Sequence, residues 1–209
     1  MPLELKDGDI VLFQGDSITD AGRRDQGPEG MGNGYTLLTS IWVTAAHPER
    51  KIQFVNRGIS GNRVIDLQGR WKEDCLDLKP TWVSMLIGVN DTWRRYDSND
   101  PTSADSFEGG YRDILNQVRD HLKARMILME PFLLHVSDKI KEMREDLDQK
   151  IEVVHRLAKD YNAKLIPLDS LFQEACKHRD PAFWAADGVH PTWAGHALMA
   201  QAWLEAVGG

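Results

Sequence analysis

The sequence predicts an α/β fold, a three-layer α/β/α sandwich around a central five-stranded parallel sheet, on three observations. Short apolar runs alternate with helical periods along the whole chain. The runs are continuously apolar, as in strands buried on both faces. No repeat, low-complexity tract or linker interrupts them, so residues 1–209 are expected to form a single domain.

Ile10 to Gln14, ending at Gly15, reads as the first strand, and Ile52 to Asn56 as the second. Trp82 to Ile87, bounded by Pro80 and Gly88, reads as the third. Met126 to Met129 stops before Pro131 and reads as the fourth, and Lys164 to Leu168 as the fifth. Tyr35, Leu38, Trp42 and Ala45/Ala46 recur at helical spacing, as do Phe107, Tyr111, Ile114/Leu115, Val118 and Leu122. Ile140, Met143, Leu147, Ile151, Val154, Leu157 and Tyr161 predict one long amphipathic helix, and Ala197, Ala200, Leu204 and Val207 a closing one. Ala21 to Gly34, with five glycines, and the polar stretch Asp97 to Asp105 read as loops.

Composition narrows the function. The net charge of -7 argues against a nucleic-acid or anionic-membrane partner, since both call for a basic face. Cys75 and Cys176 fit no zinc or redox spacing and read as idle thiols. The chain starts MPLELKDGD, without a basic start and an apolar stretch, so a cytoplasmic location is expected.

Sites in open parallel sheets form at the carboxyl ends of the strands, which directs attention to four segments. Gly15-Asp16-Ser17-Ile18-Thr19-Asp20 follows strand one, where Ser17 is either a helix N-cap or a nucleophile. Gly58 to Asn62 follows strand two; it is a turn, or a place where a glycine N–H meets a ligand. In Gly88-Val89-Asn90-Asp91, after strand three, Asn90 either closes an Asx turn or donates to a developing oxyanion. In Ala186-Asp187-Gly188-Val189-His190-Pro191, an Asp three residues before a His can bond the imidazole Nδ1–H and leave Nε2 as a base. Alternatively this segment is a helix entry with Pro191 in the first turn.

Together they compose a triad: Ser17 the nucleophile, His190 the general base, Asp187 the orienting carboxylate. The Ser17 N–H, the Gly61 N–H and the Asn90 amide are the candidate oxyanion donors. No metal or organic cofactor is expected. A histidine base must be neutral, so activity is expected to fall on the acid side.

These four blocks resemble those of the SGNH, or GDSL-like, hydrolase family, in the family's order and over almost the whole chain. The resemblance implies a flavodoxin-like SGNH fold and carries the catalytic roles to Ser17, Gly61, Asn90, Asp187 and His190. The Gly-x-Ser-x-Gly elbow is missing around Ser17, so the ordinary α/β-hydrolase fold is not implied. Within the family, Gly58-Ile59-Ser60-Gly61-Asn62, Arg70-Trp71, Asp91-x-Trp93-Arg94 with Tyr96-Asp97, and Val189-His190-Pro191 before Ala194-Gly195-His196 are similar to the bacterial acetylxylan esterase branch. That implies removal of short, acetyl-type acyl groups from carbohydrates such as xylo-oligosaccharides, and it admits a homo-oligomer. The chain departs from the branch at Ala186, where an aromatic is usual; Trp184 lies two positions earlier as a substitute.

Trp93, Arg94 and Tyr96, with Arg95, either line the cleft and contact a sugar or pack and pair elsewhere. His196 reads as structural, because one base suffices. The rival readings are a longer-chain lysophospholipase- or thioesterase-like enzyme, an inactive carbohydrate-binding scaffold, and a metal phosphoesterase on Asp16, Asp20 and Asp91.

Overall fold

The computed structural model describes residues 3–208; Met1, Pro2 and Gly209, the ends of the predicted domain, lie outside the described residues. Five strands form one sheet: β1 (Ile10–Gly15), β2 (Gln53–Asn56), β3 (Trp82–Leu86), β4 (Arg125–Met129) and β5 (Lys164–Ile166). Their order is β2-β1-β3-β4-β5, and every pairing is parallel. The predicted strands are all present, with ends shifted by up to two residues. β5 stops at Ile166 because Pro167 leads directly into helix α8 (Leu168–Ala175).

Alternate side chains face opposite layers. Val11 and Phe13, Trp82 and Leu86, and Ile127 and Met129 join one core, where helices α2 (Tyr35–Ala46) and α10 (Trp193–Ala206) pack with Tyr35, Val43, Met199 and Trp203. Leu12, Val83 and Met85, and Met126 and Leu128 enter the other, which is closed by α3 (Val64–Asp74), α5 (Ala104–Gln117) and α7 (Arg144–Asp160). Both faces of the sheet are thus buried, which explains the unbroken apolar strands.

The predicted long helix is interrupted. Helix α6 (Asp138–Glu142) ends at Met143, and α7 starts at the next residue. The Tyr96 hydroxyl donates to the Glu142 carbonyl (3.3 Å), while the Asp146 N–H turns to Met143 (3.2 Å) instead of Glu142. Met143 and Ile140 stay buried, so the apolar stripe continues across the break.

The chain runs from β1 outward to β2 and then returns past β1 to β3. The strand order reverses between β1 and β3, and a crevice opens there at the carboxyl ends. Short helices α1 (Ser17–Asp20) and α4 (Val89–Asp97) start from those two ends. The described residues hold no helix long and apolar enough to cross a membrane.

Candidate active site

Ser17 is the first residue of α1, so its own N–H has no acceptor inside that helix. Asp16 caps the helix, accepting from the Ile18 N–H at 3.0 Å. Asp16 is fully buried; burial pushes its carboxyl up to about 7, against the pull of the Ile18 N–H and the His190 charge. The serine is therefore presented by a turn with almost no room. A Cβ on Gly15 would come within 2.5 Å of the Leu86 carbonyl.

Asp187 and His190 arrive on a short loop between α9 (Pro181–Trp184) and α10, pinched at its base by a bridge between Ala185 and Pro191. Gly188 adopts φ +81°, and a Cβ there would meet the Leu134 carbonyl at 2.5 Å, so only glycine fits this turn. Thr192, not Pro191, caps α10, so the alternative with proline in the first turn does not hold.

The loop delivers the histidine to the serine. Ser17 Oγ lies 2.8 Å from His190 Nε2, and His190 Nδ1 lies 2.6 Å from Asp187 Oδ2. A carboxylate only accepts, so Nδ1 carries the proton and Nε2 is left to accept from the serine hydroxyl. Asp187 Oδ1 also accepts the Val189 N–H (2.9 Å) and the His190 N–H (2.7 Å). Desolvation opposes ionisation of Asp187, but the bonds from His190 and Val189 outweigh it and hold the carboxyl below its usual range.

Ser17 and His190 open into a cleft with a volume of about 410 Å³. Gly61 and Asn90 line it with Ser17 and His190. Among the described residues the Gly61 N–H has no acceptor. Asn90 sits in the first turn of α4 rather than in an isolated Asx turn. One of its amide hydrogens goes to the Asn62 carbonyl (3.1 Å), leaving the other for a ligand. Arg70 on α3 braces the floor, donating to Asn62 Oδ1 (2.8 Å), Asp74 (3.0 Å) and the Gly15 carbonyl (3.4 Å).

The remaining candidates divide by helical phase. Trp93 and Arg94 line the cleft on the same side of α4 as Asn90. Arg94 pairs with Asp97 at 2.5 Å, and Lys139 stands 5.9 Å from the Trp93 ring centre. Arg95 and Tyr96 point instead toward α6 and α7, through Asp146 and the Glu142 carbonyl. Tyr96 and Trp184 are thus not brought to the cleft, and both pack against the core. Trp184 does not stand in for an aromatic at Ala186.

Among the described residues, Asp16, Asp20 and Asp91 do not converge as a metal set would. Each accepts separate bonds from the scaffold: Asp16 from Ile18, Asp20 from Ser60, and Asp91 from the Val64 N–H at 3.2 Å. Burial drives the Cys75 thiol up to about 12, far from nucleophilic thiolate.

His196 lies behind His190. Its Nδ1 accepts the Tyr35 N–H (3.2 Å) at the start of α2, and its ring stacks on Tyr35 with centres 6.5 Å apart. Burial, and then the His190 charge, push its pKa down to about 4. The folded value lies below the unfolded value of roughly 6.5, so the unfolded chain binds the extra proton between the two. Stability from this group is complete above that window and is lost as pH falls through it. Urea midpoints at pH 7 and pH 4.5 should therefore differ more for wild type than for His196→Gln. Parallel losses would place the acid sensitivity elsewhere.

The site can now be set beside known proteins. Residues 13–198 match the GDSL-like lipase/acylhydrolase family. The acetylxylan esterase of Geobacillus stearothermophilus is 38% identical over 214 residues, spanning 99% of this chain and 97% of that protein. A solved variant of Axe2, an acetyl-xylooligosaccharide esterase from that organism, aligns with a TM-score of 0.92 at 38% identity, over 99% of this chain and 97% of the other. A protein described as a GDSL-like lipase from Parabacteroides merdae aligns with a TM-score of 0.92 at 34% identity, over 99% and 98%. Three other solved forms of Axe2 are described as catalytic mutants, altered at a serine, an aspartate and a histidine. With a match that runs almost end to end, this chain belongs to the GDSL-like lipase/acylhydrolase family and is a carboxylic ester hydrolase.

Proposed function

We propose that the protein is a serine esterase removing acetyl groups from xylo-oligosaccharides, with Ser17, His190 and Asp187 as its triad. The observation that carries the triad is the unbroken relay from Ser17 Oγ through the imidazole to Asp187, opening into one cleft with Gly61 and Asn90. Ser17 Oγ attacks the ester carbonyl carbon while His190 Nε2 takes its proton. The carbonyl oxygen, now negative, is held by the N–H groups of Ser17 and Gly61 and by the Asn90 amide. Collapse breaks the bond to the alcohol oxygen, which takes the proton from His190 as it leaves. Water then adds to the acyl-serine with the same base, releasing the acid and restoring Ser17.

The substrate rests on two supports. The 38% identical relative is an acetylxylan esterase. The cleft adds modest apolar contact from Trp93 and Val189 beside the polar Ser60 and Arg94, which suits a short acyl group on a hydroxyl-rich alcohol. Trp93 offers a ring on which a sugar can stack, and Arg94 offers donors to its hydroxyls. Release of acetate from acetylated xylo-oligosaccharides should greatly exceed hydrolysis of an octanoyl ester at equal enzyme. Preference for the octanoyl ester would favour the longer-chain reading.

A further inference from the structure

The Gly61 N–H is useful only if it faces the cleft, and its direction is not set by Gly61 alone. The Asn62 N–H donates to the Ile59 carbonyl (3.2 Å), and Gly61 has φ +83°. This is the arrangement of a type II turn, with Ser60 and Gly61 as its central residues. The peptide between them carries the Ser60 carbonyl on one face and the Gly61 N–H on the other. Rotating that single peptide by half a turn would present a carbonyl oxygen to the developing oxyanion in place of a donor.

Ile59 and Ser60, just before Gly61, are fastened to the segment Gly15–Asp20 that carries the nucleophile, and Gly58 before them is fixed by its own neighbours. Gly58 donates to Asn56 Oδ1 (2.8 Å), and its carbonyl accepts from Arg23 (2.7 Å). Ile59 donates to the Gly15 carbonyl (3.1 Å). Ser60 is held by Asp20, whose Oδ2 accepts both the Ser60 N–H and the Ser60 hydroxyl at 3.0 Å. Asp20 is the last residue of α1, three beyond Ser17, and only 2% exposed. Burial opposes its ionisation, but the two Ser60 bonds and the charges of Arg24 and Arg23 outweigh it and hold the carboxyl below its usual range. Gly58 packs so closely here that a Cβ would stand 2.4 Å from the Asp20 nitrogen.

We propose that Asp20 is a positioning residue of the reaction: by holding the Ser60 N–H and hydroxyl together, it fixes the face of the Ser60–Gly61 peptide that meets the cleft. The short helix then carries the nucleophile at its first residue and the clamp for an oxyanion donor at its last. Serine and donor are kept in register by one rigid element. This rests on the catalytic reading of Ser17 and Gly61 above. Asp20 touches no reacting atom, so its loss should act on turnover and leave ground-state binding nearly intact.

The test compares Asp20→Ala, Asp20→Asn and Ser60→Ala with wild type, using 4-nitrophenyl acetate for kcat and KM. Phenylboronic acid, which forms a tetrahedral adduct with a serine nucleophile, supplies the second readout. Deleting an oxyanion donor costs roughly 10²–10³ in kcat, and loosening one should cost less, about tenfold to a hundredfold for Asp20→Ala. Asp20→Asn, which keeps an acceptor oxygen, should recover part of that loss. KM should stay near wild type, and boronate affinity should fall in step with kcat. If Asp20→Ala does not fold, the other two variants decide. Folded Asp20→Asn and Ser60→Ala proteins with wild-type kcat and boronate affinity would overturn the proposal, as would a loss confined to KM. Ser17→Ala and Asn90→Ala serve as controls. If they lose activity while the Asp20 and Ser60 variants do not, only the clamp is wrong; if they retain it, the catalytic reading fails and the clamp with it.

Discussion

Ser17→Ala is expected to abolish ester hydrolysis, with a loss on the order of 10⁶ in kcat, the scale reached when a serine nucleophile is deleted from a working triad. The reason is chemical: among the described residues the Ser17 hydroxyl is the one hydrogen-bonded to His190 Nε2. The protein should fold normally. Among the described residues the Ser17 hydroxyl bonds to the His190 side chain alone, while the turn around it is held by Asp16, Gly15 and the backbone. Turnover of 4-nitrophenyl acetate, with circular dichroism to confirm folding, reads the effect. A folded variant with wild-type turnover would remove Ser17 from the mechanism.

Asp187→Asn is expected to cost roughly 10⁴ in kcat, for a reason of geometry rather than charge alone. The asparagine oxygen can still accept the Val189 and His190 N–H groups, so the loop keeps its shape. Its amide nitrogen would then face His190 Nδ1 and can only donate, which forces Nδ1 to become the acceptor. The proton moves to Nε2, and the imidazole points an N–H at Ser17 instead of a lone pair. Binding of substrate should change little, so the loss falls on kcat. A loss of less than about tenfold would show that His190 is held in its working tautomer by something other than Asp187.

The fold and the site were legible in the sequence to different depths. Val11-Leu12-Phe13 and Val83 to Leu86 announced themselves as strands because both faces of the sheet are covered. Helix α3 left only a faint trace: Val64, Leu67 and Trp71 are buried, but Gly69 and its charged neighbours break the pattern. Helix α4 has no apolar stripe to announce it, because Asn90 and Asp91, in its first turn, are polar and serve the loops. The break at Met143 leaves no mark in the sequence, since it is the neighbouring Glu142 carbonyl that a tyrosine hydroxyl from a distant segment takes up.

In the site, Ser17, Gly61, Asn90, Asp187 and His190 could be nominated because each follows a strand or sits in a tight glycine turn. Their supports could not. Asn56, buried at the end of β2, ties together the Thr19 carbonyl (2.7 Å), the Met31 carbonyl (3.0 Å), Thr36 (3.2 Å) and Gly58 (2.8 Å). Asp20 does the same for Ser60. Side-chain bonds to remote backbone leave no periodicity behind, and a polar residue beside a turn looks alike whether it organises the site or faces water. The opposite fates of Trp93 and Tyr96 were likewise set by the phase of a helix that the sequence did not reveal.

The most direct test of the central claim is covalent capture of the nucleophile. Wild-type protein is treated with diisopropyl fluorophosphate, its intact mass and residual activity are followed together, and the modified site is mapped by peptide mass spectrometry. The expected result is one phosphoryl group per chain, carried by Ser17, with activity falling in proportion to its incorporation. Complete inactivation with Ser17 unmodified, or full labelling of Ser17 with activity intact, would contradict it.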